Sequence, residues 1–430
     1  MKNKKLFQKI VFITLIVLIL FSLVAPAIFS QSLSAPRQEK LLNGLKVLMW
    51  SDARADKVTV KIRVHAGSAF DPQGKEGVMQ MLADNIFPNQ VTRDFFTEDL
   101  GGSLEIVTNY DYIQVNASSK PENFLTMLET LSTAVANPAI DKETTIKLRN
   151  ALLAKIATLE TDPAYVADQA VAKRLFGTFP YGRPQLGTTS SVQKLDFADL
   201  IDAKQRFLTA DNATIAVSGN FDKALGYKAI RRYFGGWLKS DKKVPSTFRQ
   251  PDAPPEGLQT ISSPRADTAI RFAIRGASRS EKDFAAARVI SSILESRLKA
   301  RISADQASDI FARSEAYTLP GYIIMGFSAG KRKIGTGDGK INAKYIVSKA
   351  MSDLVTDEEF QAARLVDAGT WNKRDSNIFW LDNDTYKTLS VESDRVAFDN
   401  LTLSDLRAYV EKLRKATMVS VFVDTPFVVD

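Results

Sequence analysis

Apolar and polar residues follow two kinds of pattern along the chain. Within 58–64 every second residue is β-branched and apolar and the residues between them are polar, which predicts a half-buried strand. Asn43-Gly44 lies between apolar residues and predicts a two-residue hairpin turn. The other predicted elements are strands at 103–108 and 110–117 and helices at about 75–86, 121–136 and 141–160.

The chain is predicted to form two domains. Even without an N-terminal targeting segment, its length exceeds the ~250–300 residues at which a single hydrophobic core stops growing. Residues 242–257 contain four prolines and no periodicity, which is typical of a linker. The sequence Leu-Asp-Phe-Ala-Asp-Leu at 195–200 is echoed by Leu-Thr-Leu-Ser-Asp-Leu at 401–406, each before a predicted closing strand. We therefore predict domains at 41–241 and 258–430.

The N-terminus has the pattern of a secretory leader. Four lysines and no acid among the first nine residues precede an apolar run and then Ala25-Pro26-Ala27. We predict a signal peptide at 1–27. The alternative is an uncleaved membrane anchor, because the apolar run can be extended to Phe29. Residues 28–40 are predicted to be a tether. Either reading predicts an exported protein, periplasmic or on the outer face of the membrane, with membrane contact only through this segment.

Charge and composition exclude several kinds of site. The net charge is +8, but four of these charges are the lysines of the leader, so no nucleic-acid partner is expected. The chain has one histidine, His65, and no cysteine. Catalytic zinc sites nearly always use at least two nitrogen or sulfur ligands. We therefore predict no metal and no other cofactor, and a structural role for His65.

Four segments carry a family resemblance. They are 42–47 (Leu-Asn-Gly-Leu-Lys-Val), Gly67-Ser68 with Asp71-Pro72 and Gly74, 180–184 (Pro-Tyr-Gly-Arg-Pro) with Gly187-Thr188, and 212–222. In this order and spacing the chain resembles the pitrilysin/insulinase family of zinc metallopeptidases, which includes the mitochondrial processing peptidases. The resemblance runs from about 41 to 423. It implies an α+β fold of two homologous domains, each a mainly antiparallel sheet packed by helices on one side, facing one another across a chamber.

The zinc motif of that family is missing here. In the family, the helix after the glycine-containing loop carries His-x-x-Glu-His, which binds zinc and activates its water. By resemblance Gln80 and Asp84 stand at the histidine positions, Ala83 at the glutamate, Lys155 at the third ligand and Leu148 at a second catalytic glutamate. This implies a degenerate site without catalytic residues. We expect Gln80, Asp84 and Lys155 to form a structural cluster in which Asp84 pairs with Lys155.

The resemblance also implies a peptide-binding edge strand at Ser103, Leu104, Glu105, Ile106, Val107 and Thr108. Strand addition uses backbone groups and needs no metal, although an edge can equally serve no binding purpose. The predicted function is a catalytically inactive peptidase homologue. It would be the non-catalytic subunit beside a zinc-bearing homologous peptidase subunit in extracytoplasmic processing, and would bind extended peptide or an unfolded protein segment. An active metalloendopeptidase with a noncanonical site and a structural subunit of an envelope complex remain alternatives.

Overall fold

A computed structural model describes residues 34–240, 248–249, 251–255, 257–263, 265, 267–331, 333–336 and 339–424. The predicted leader lies outside the described residues, as do 242–247, 250 and 256 of the predicted linker. None of the described helices is both long and apolar enough to cross a membrane.

The first sheet contains six strands in the order β1-β2-β6-β3-β5-β4 within the described residues. They are β1 (Arg37–Lys40), β2 (Lys46–Ser51), β3 (Val58–Val64), β4 (Ser103–Thr108), β5 (Ile113–Ser119) and β6 (Ala213–Gly219). Only β2 and β6 pair in parallel; the other neighbours are antiparallel. The alternating apolar residues of β3 face the core, as predicted.

Eight α-helices accompany this sheet in the described part of the chain. They are α1 (Val78–Asp84), α2 (Gln90–Glu98), α3 (Phe124–Ala136), α4 (Lys142–Leu159), α5 (Pro163–Phe176), α6 (Thr189–Val192), α7 (Phe197–Phe207) and α8 (Lys223–Phe234). Single turns of 3-10 helix lie at Ser68–Phe70, Pro121–Asn123, Pro180–Gly182 and Ala210–Asn212. Side chains of α1, α3, α4, α7 and α8 share one buried apolar core with the sheet.

The second sheet has the strand order β7-β11-β8-β10-β9. Its strands are β7 (Leu258–Ser262), β8 (Thr268–Arg275), β9 (Ser308–Glu315), β10 (Tyr322–Ala329) and β11 (Met418–Asp424). The helices around it are α9 (Phe284–Arg301), α10 (Ala343–Ser352), α11 (Asp357–Asn372), α12 (Ser376–Tyr386), α13 (Ser393–Asn400) and α14 (Leu403–Lys415). β7 pairs in parallel with β11, and the other pairs are antiparallel.

The two sheets repeat one topology. In each, a parallel pair is followed by three antiparallel strands, and the first sheet adds β1 outside its pair, so that β4 and β9 occupy corresponding edges. The echoed sequences also coincide in structure. Asp196 with Asp199 and Thr402 with Asp405 form capping boxes at the starts of α7 and α14. The predicted fold class, α+β with two similar domains, is confirmed.

Each domain also sends one helix to the other domain's sheet. Ala167 and Val171 of α5 belong to a buried cluster with Ala269 and Ala273 of the second sheet. Leu381 of α12 packs against Leu48 and Ala216 of the first sheet. The sequence predicts helices on one side of each sheet; the structure covers both sides. These helices cover the second face of each sheet, and on the second sheet that face carries buried apolar residues such as Ala269 and Ala273.

Ionised groups lie between the domains beside these helices. Arg63 of β3 donates to Asp382 of α12 at 2.7 Å, and both side chains are buried. Arg374 and Arg279 also contact this carboxylate, at 2.9 and 3.4 Å. Burial alone would raise the pKa of Asp382, but the guanidinium groups outweigh burial and hold the pKa below its ordinary value.

Three local predictions differ from the structure. Arg37–Lys40, part of the predicted tether, forms an edge strand, which its charged sequence hides from hydrophobic patterning. β1 and β2 are joined by the five residues 41–45 and not by a two-residue turn, because the Asn43 side chain bonds to carbonyls at the end of α8. β5 starts at Ile113 instead of 110, since residues 109–112 turn back from β4.

The buried Asp382 carboxylate should contribute more to the free energy of unfolding than an exposed carboxylate does. We expect Asp382→Asn to lower the free energy of unfolding by about 3–5 kcal/mol, because it leaves the buried Arg63 guanidinium without its anion. Asp375→Asn is the matched control: this carboxylate pairs with Lys61 but is 66% exposed, and the expected loss is below about 1 kcal/mol. Urea unfolding measures both, and equal losses would contradict the importance of the buried Arg63–Asp382 contact, because both carboxylates join the domains and differ in burial.

Candidate functional site

The start of α1 is held by residues of the segments that carry the family resemblance. The Asp71 carboxylate accepts hydrogen bonds from the backbone N–H groups of Gly77, at 2.7 Å, and Met79, at 2.9 Å. Arg183 donates to the carbonyl oxygens of Asp71 and Ala69 at 2.8 and 3.1 Å. Asp71 satisfies two free N–H groups at the start of α1, and Arg183 holds the loop that carries Asp71, so these contacts fix the position of α1 without a metal ion.

Two of the three α1 positions of the missing motif form a polar pair, and the third lies in the core. Gln80 Nε2 donates to Asp84 Oδ1 at 3.0 Å, one helical turn away. Ala83 is completely buried in the core of the first domain. Burial raises the pKa of Asp84, although the Gln80 hydrogen bond and the charge of Lys155 lower it. The hydrogen bond from Gln80 thus gives the half-buried Asp84 carboxylate a partner.

The two α4 positions do not join this pair. Leu148 is half-buried and packs against the first core. Lys155 is exposed, and no ion pair within 4.0 Å joins it to Asp84 in the described part of the chain. The predicted Asp84–Lys155 pair is therefore wrong. The ammonium group stays hydrated at the surface and acts on Asp84 only through space.

The donor set does not fit a zinc ion. It offers one amide, one carboxylate and one ammonium group, whereas zinc requires imidazole, thiolate or several carboxylates. Over the residues that the structure describes, no three His, Cys, Asp or Glu side chains lie together as metal ligands would. An ammonium group at the third-ligand position would also repel a cation.

The residues 103–108 form the edge strand β4, as predicted, and in the described residues β4 pairs only with β5. The Asn109 N–H bonds to the Tyr112 carbonyl, so alternation along the antiparallel pair directs the backbone N–H groups of Leu104, Ile106 and Thr108 away from β5. Leu104 and Ile106 pack their side chains against the core. Peptide binding at this strand stays a prediction.

The corresponding edge of the second domain is protected. β9 meets β10 with a register shift, and Asp309 of β9 has a positive φ of 51°. Arg313 and Glu315 place paired charges along β9. Bulges and charges of this kind discourage strand addition. The only charged residue of β4 is Glu105, so the two domains differ in their capacity to accept a strand.

A polar layer between the domains was not evident in the sequence pattern. His65 Nδ1 lies 3.0 Å from Thr385 Oγ1, and Nε2 lies 3.0 Å from Thr214 Oγ1. Its predicted structural role is confirmed. Burial lowers the pKa of His65 well below its usual value, and the cations Arg63, Lys387 and Lys46 lower it further. Only the polar residues of β3, spaced two apart, hinted that the second face of the sheet is covered.

Family models match both halves. Residues 46–189 match the model described as insulinase (peptidase family M16), and residues 194–365 match the peptidase M16 inactive domain. The chain belongs to the insulinase family. The inactive-domain model does not include the degenerate positions of α1 and α4, so its description says nothing about them.

Relatives with curated descriptions match parts of this insulinase-family chain. An uncharacterized zinc protease of Rickettsia bellii is 22% identical over 210 residues, which are 47% of this chain and 50% of that protein. A probable mitochondrial-processing peptidase subunit beta of Arabidopsis thaliana is 27% identical over 194 residues, 44% of this chain and 36% of that protein. The chain thus spans about half the length of the first relative and about a third of the second.

Solved structures share the insulinase-family fold over nearly the whole chain. The peptidase M16 inactive domain from Pseudomonas fluorescens has a TM-score of 0.79 and 18% identity, covering 92% of this chain and 98% of that one. The periplasmic protease PqqL from Escherichia coli has a TM-score of 0.70 and 17% identity, covering 93% of this chain but 48% of PqqL. PqqL is thus long enough for two such units. At these identities the likeness shows the fold alone.

The pKa of His65 predicts an acid-sensitive stability. Because the folded-state pKa is lowered, the unfolded chain binds this proton more tightly, and stability present above about pH 6.5 is lost as the pH falls. From about pH 7 to 5, the wild type should lose up to about 2 kcal/mol more free energy of unfolding than His65→Gln.

Nuclear magnetic resonance on the ¹⁵N-labelled imidazole follows this group directly, because the chain contains no other histidine. We expect no titration between about pH 8 and 6. A midpoint near 6.5 would show an ordinary, solvated histidine and contradict the buried contact.

Restoring ligand chemistry should restore metal binding. Gln80→His, Asp84→His and Lys155→Glu together supply two imidazoles and a carboxylate, and we expect about one zinc per chain after dialysis, against under ~0.1 for the wild type. The matched control keeps Lys155 with both histidines and should bind zinc at least ~10-fold more weakly, because the ammonium repels the cation. The zinc content of each dialysed protein is measured by elemental analysis. Retention of zinc by the wild type, or none by the triple variant, would contradict the degenerate-site account.

Proposed function

We propose that this chain is a catalytically inactive member of the insulinase family that holds extended peptide on β4 beside a zinc-bearing homologue. The observation that carries the proposal is the combination of a donor set unsuited to zinc with an unprotected edge strand. Gln80, Ala83 and Asp84 provide neither the ligands nor the general base of a zinc peptidase. The backbone of β4 needs none of these groups to pair with a peptide.

The contrast between the two edges supports a binding role for β4. A sheet edge without bulge or paired charges is a liability unless something covers it. This chain protects β9 with both devices, whereas β4 lacks them. A structural subunit without a peptide role gives no reason for that asymmetry.

Pairing with a second unit is supported by the proportions of PqqL. This chain matches 93% of its own length to 48% of that protease, so a unit of this size has a companion of similar length in PqqL. We propose that here the companion is a separate zinc-bearing chain. The lysine-rich, apolar leader supports an exported, extracytoplasmic location for the pair.

Peptide binding is tested by removing one backbone donor of β4. Ile106→Pro deletes an N–H group that points away from β5, and Ile106→Ala is the matched control that loses packing but keeps the N–H. With fluorescein-labelled oxidised insulin B chain as a generic extended peptide, we expect the proline variant to bind at least ~10-fold more weakly than the alanine variant by fluorescence anisotropy.

Equal peptide affinity of the proline and alanine variants would contradict the strand-addition model. If the wild type binds no peptide, and Ile106→Pro still assembles with other envelope chains as the wild type does, the structural-subunit alternative is favoured. Cleavage of the labelled peptide by the purified wild type, abolished by Asp84→Asn, would favour the noncanonical peptidase.

A further inference from the structure

One helix face of the first domain is strongly cationic. Helix α8 exposes Lys223, Lys228, Arg231 and Arg232 and contains no acidic residue. Over the residues that the structure describes, none of these four side chains forms an ion pair. Elsewhere many exposed cations are paired with acids, as Lys147 is with Glu143. A run of unpaired positive charge on one helix creates a local field that attracts an anionic surface.

The strand that follows the N-terminal segment lies along this helix. The Arg37 guanidinium of β1 stands over the Tyr227 ring at 5.4 Å, near the middle of α8. Six residues further on, Asn43 donates to the carbonyl oxygen of Phe234, the last residue of α8, at 2.8 Å, and to that of Trp237, just after the helix, at 2.9 Å. β1 with its turn and α8 therefore form one continuous surface.

Two leucines protrude where the turn meets the end of the helix. Leu42 is fully exposed at 106% and Leu238 is 76% exposed. Asn43 ties the two loops together, so both leucines lie at the same end of the surface. Protruding apolar side chains next to a cluster of cations are the arrangement with which proteins bind a lipid interface.

The course of the chain favours a membrane over other anionic partners. The N-terminal apolar run ends by Phe29, eight residues before Arg37, and eight extended residues reach at most about 28 Å. With the uncleaved anchor that is the alternative to a signal peptide, a segment held in a bilayer would therefore keep β1, and α8 beside it, close to the lipid surface. The cations and leucines lie on the elements that this connection brings nearest.

We propose that an anionic lipid membrane is bound by the α8 face, the surface formed by Lys40, which is exposed at the end of β1, and by Leu42, Lys228, Arg231, Arg232 and Leu238. The cations contact lipid headgroups and the two leucines enter the interface. This orients the domain on the membrane. The proposal does not depend on peptide binding at β4 or on the state of the degenerate zinc site.

The absence of cysteine allows a direct test on the full chain, because a single introduced cysteine is the only labelling site. Leu42→Cys and Leu238→Cys carry an environment-sensitive fluorophore, and Leu389→Cys is the matched control, equally exposed at 103% but in the second domain. We expect emission at 42 and 238 to rise about threefold with phosphatidylcholine vesicles containing about 30% phosphatidylglycerol, and to change little at 389.

Removing charges from two different places distinguishes binding by the α8 face from non-specific attraction by the protein's positive charge. Lys228→Gln, Arg231→Gln and Arg232→Gln together should abolish the rise at 42. The control variant Lys331→Gln, Lys333→Gln and Lys340→Gln, which removes three charges from an exposed loop of the second domain, should retain it. Salt at about 0.5 M should also suppress the rise.

Three results would overturn the proposal. One is no change at 42 and 238, or an equal change at 389. Another is the same rise with a soluble polyanion such as heparin in place of vesicles, which would indicate a polymer partner. The third is a rise that depends on protein concentration without vesicles, which would indicate a second copy of the chain.

Discussion

Arg63 and Asp382 come from different domains, and their buried contact defines how the two halves of the molecule meet. Neither ion can remain in an apolar interior alone, because the desolvation penalty is several kcal/mol per charge. Asp382 therefore requires α12 to lie on the first sheet, where Arg63 is, and α12 in turn covers the polar side of β3. Arg271 with Asp168 repeats the arrangement between the second sheet and α5 at 2.6 Å.

Contacts within the first domain hold the helix of the degenerate motif without zinc ligands. α1 is fixed by the Asp71 cap and by Arg183, and its buried side is fixed by core residues such as Ala83. Zinc would have added rigidity to α1 and α4, but neither helix depends on it for position. The pair formed by Gln80 and Asp84 satisfies the polar atoms that remain. Retained motif residues around an altered centre are thus structural in this chain.

The sequence predicted features that depend on local pattern. The alternation in β3, the strand at 103–108 and the echoed starts of α7 and α14 all follow from periodicity or capping chemistry, whereas the edge position of that strand came from the resemblance. The exchanged helices were not predictable, because Lys61 and Arg63 look like solvent-facing residues until they are paired with Asp375 and Asp382, which are 314 and 319 residues away. The prediction of an Asp84–Lys155 pair was wrong for a related reason. Aligned positions on two helices show that two residues are near one another, but not whether burial favours their contact. The resemblance supplied the positions of the lost ligands, which no pattern in this chain marks.

The most direct test of the account is the zinc content of the native assembly, recovered from its own cell envelope with every co-purifying chain identified. The account predicts near-stoichiometric zinc that travels with a second chain carrying His-x-x-Glu-His, and a metal-free protein once the two are separated. Zinc that stays with this chain after separation, or a metal-free assembly without any such partner, would contradict it.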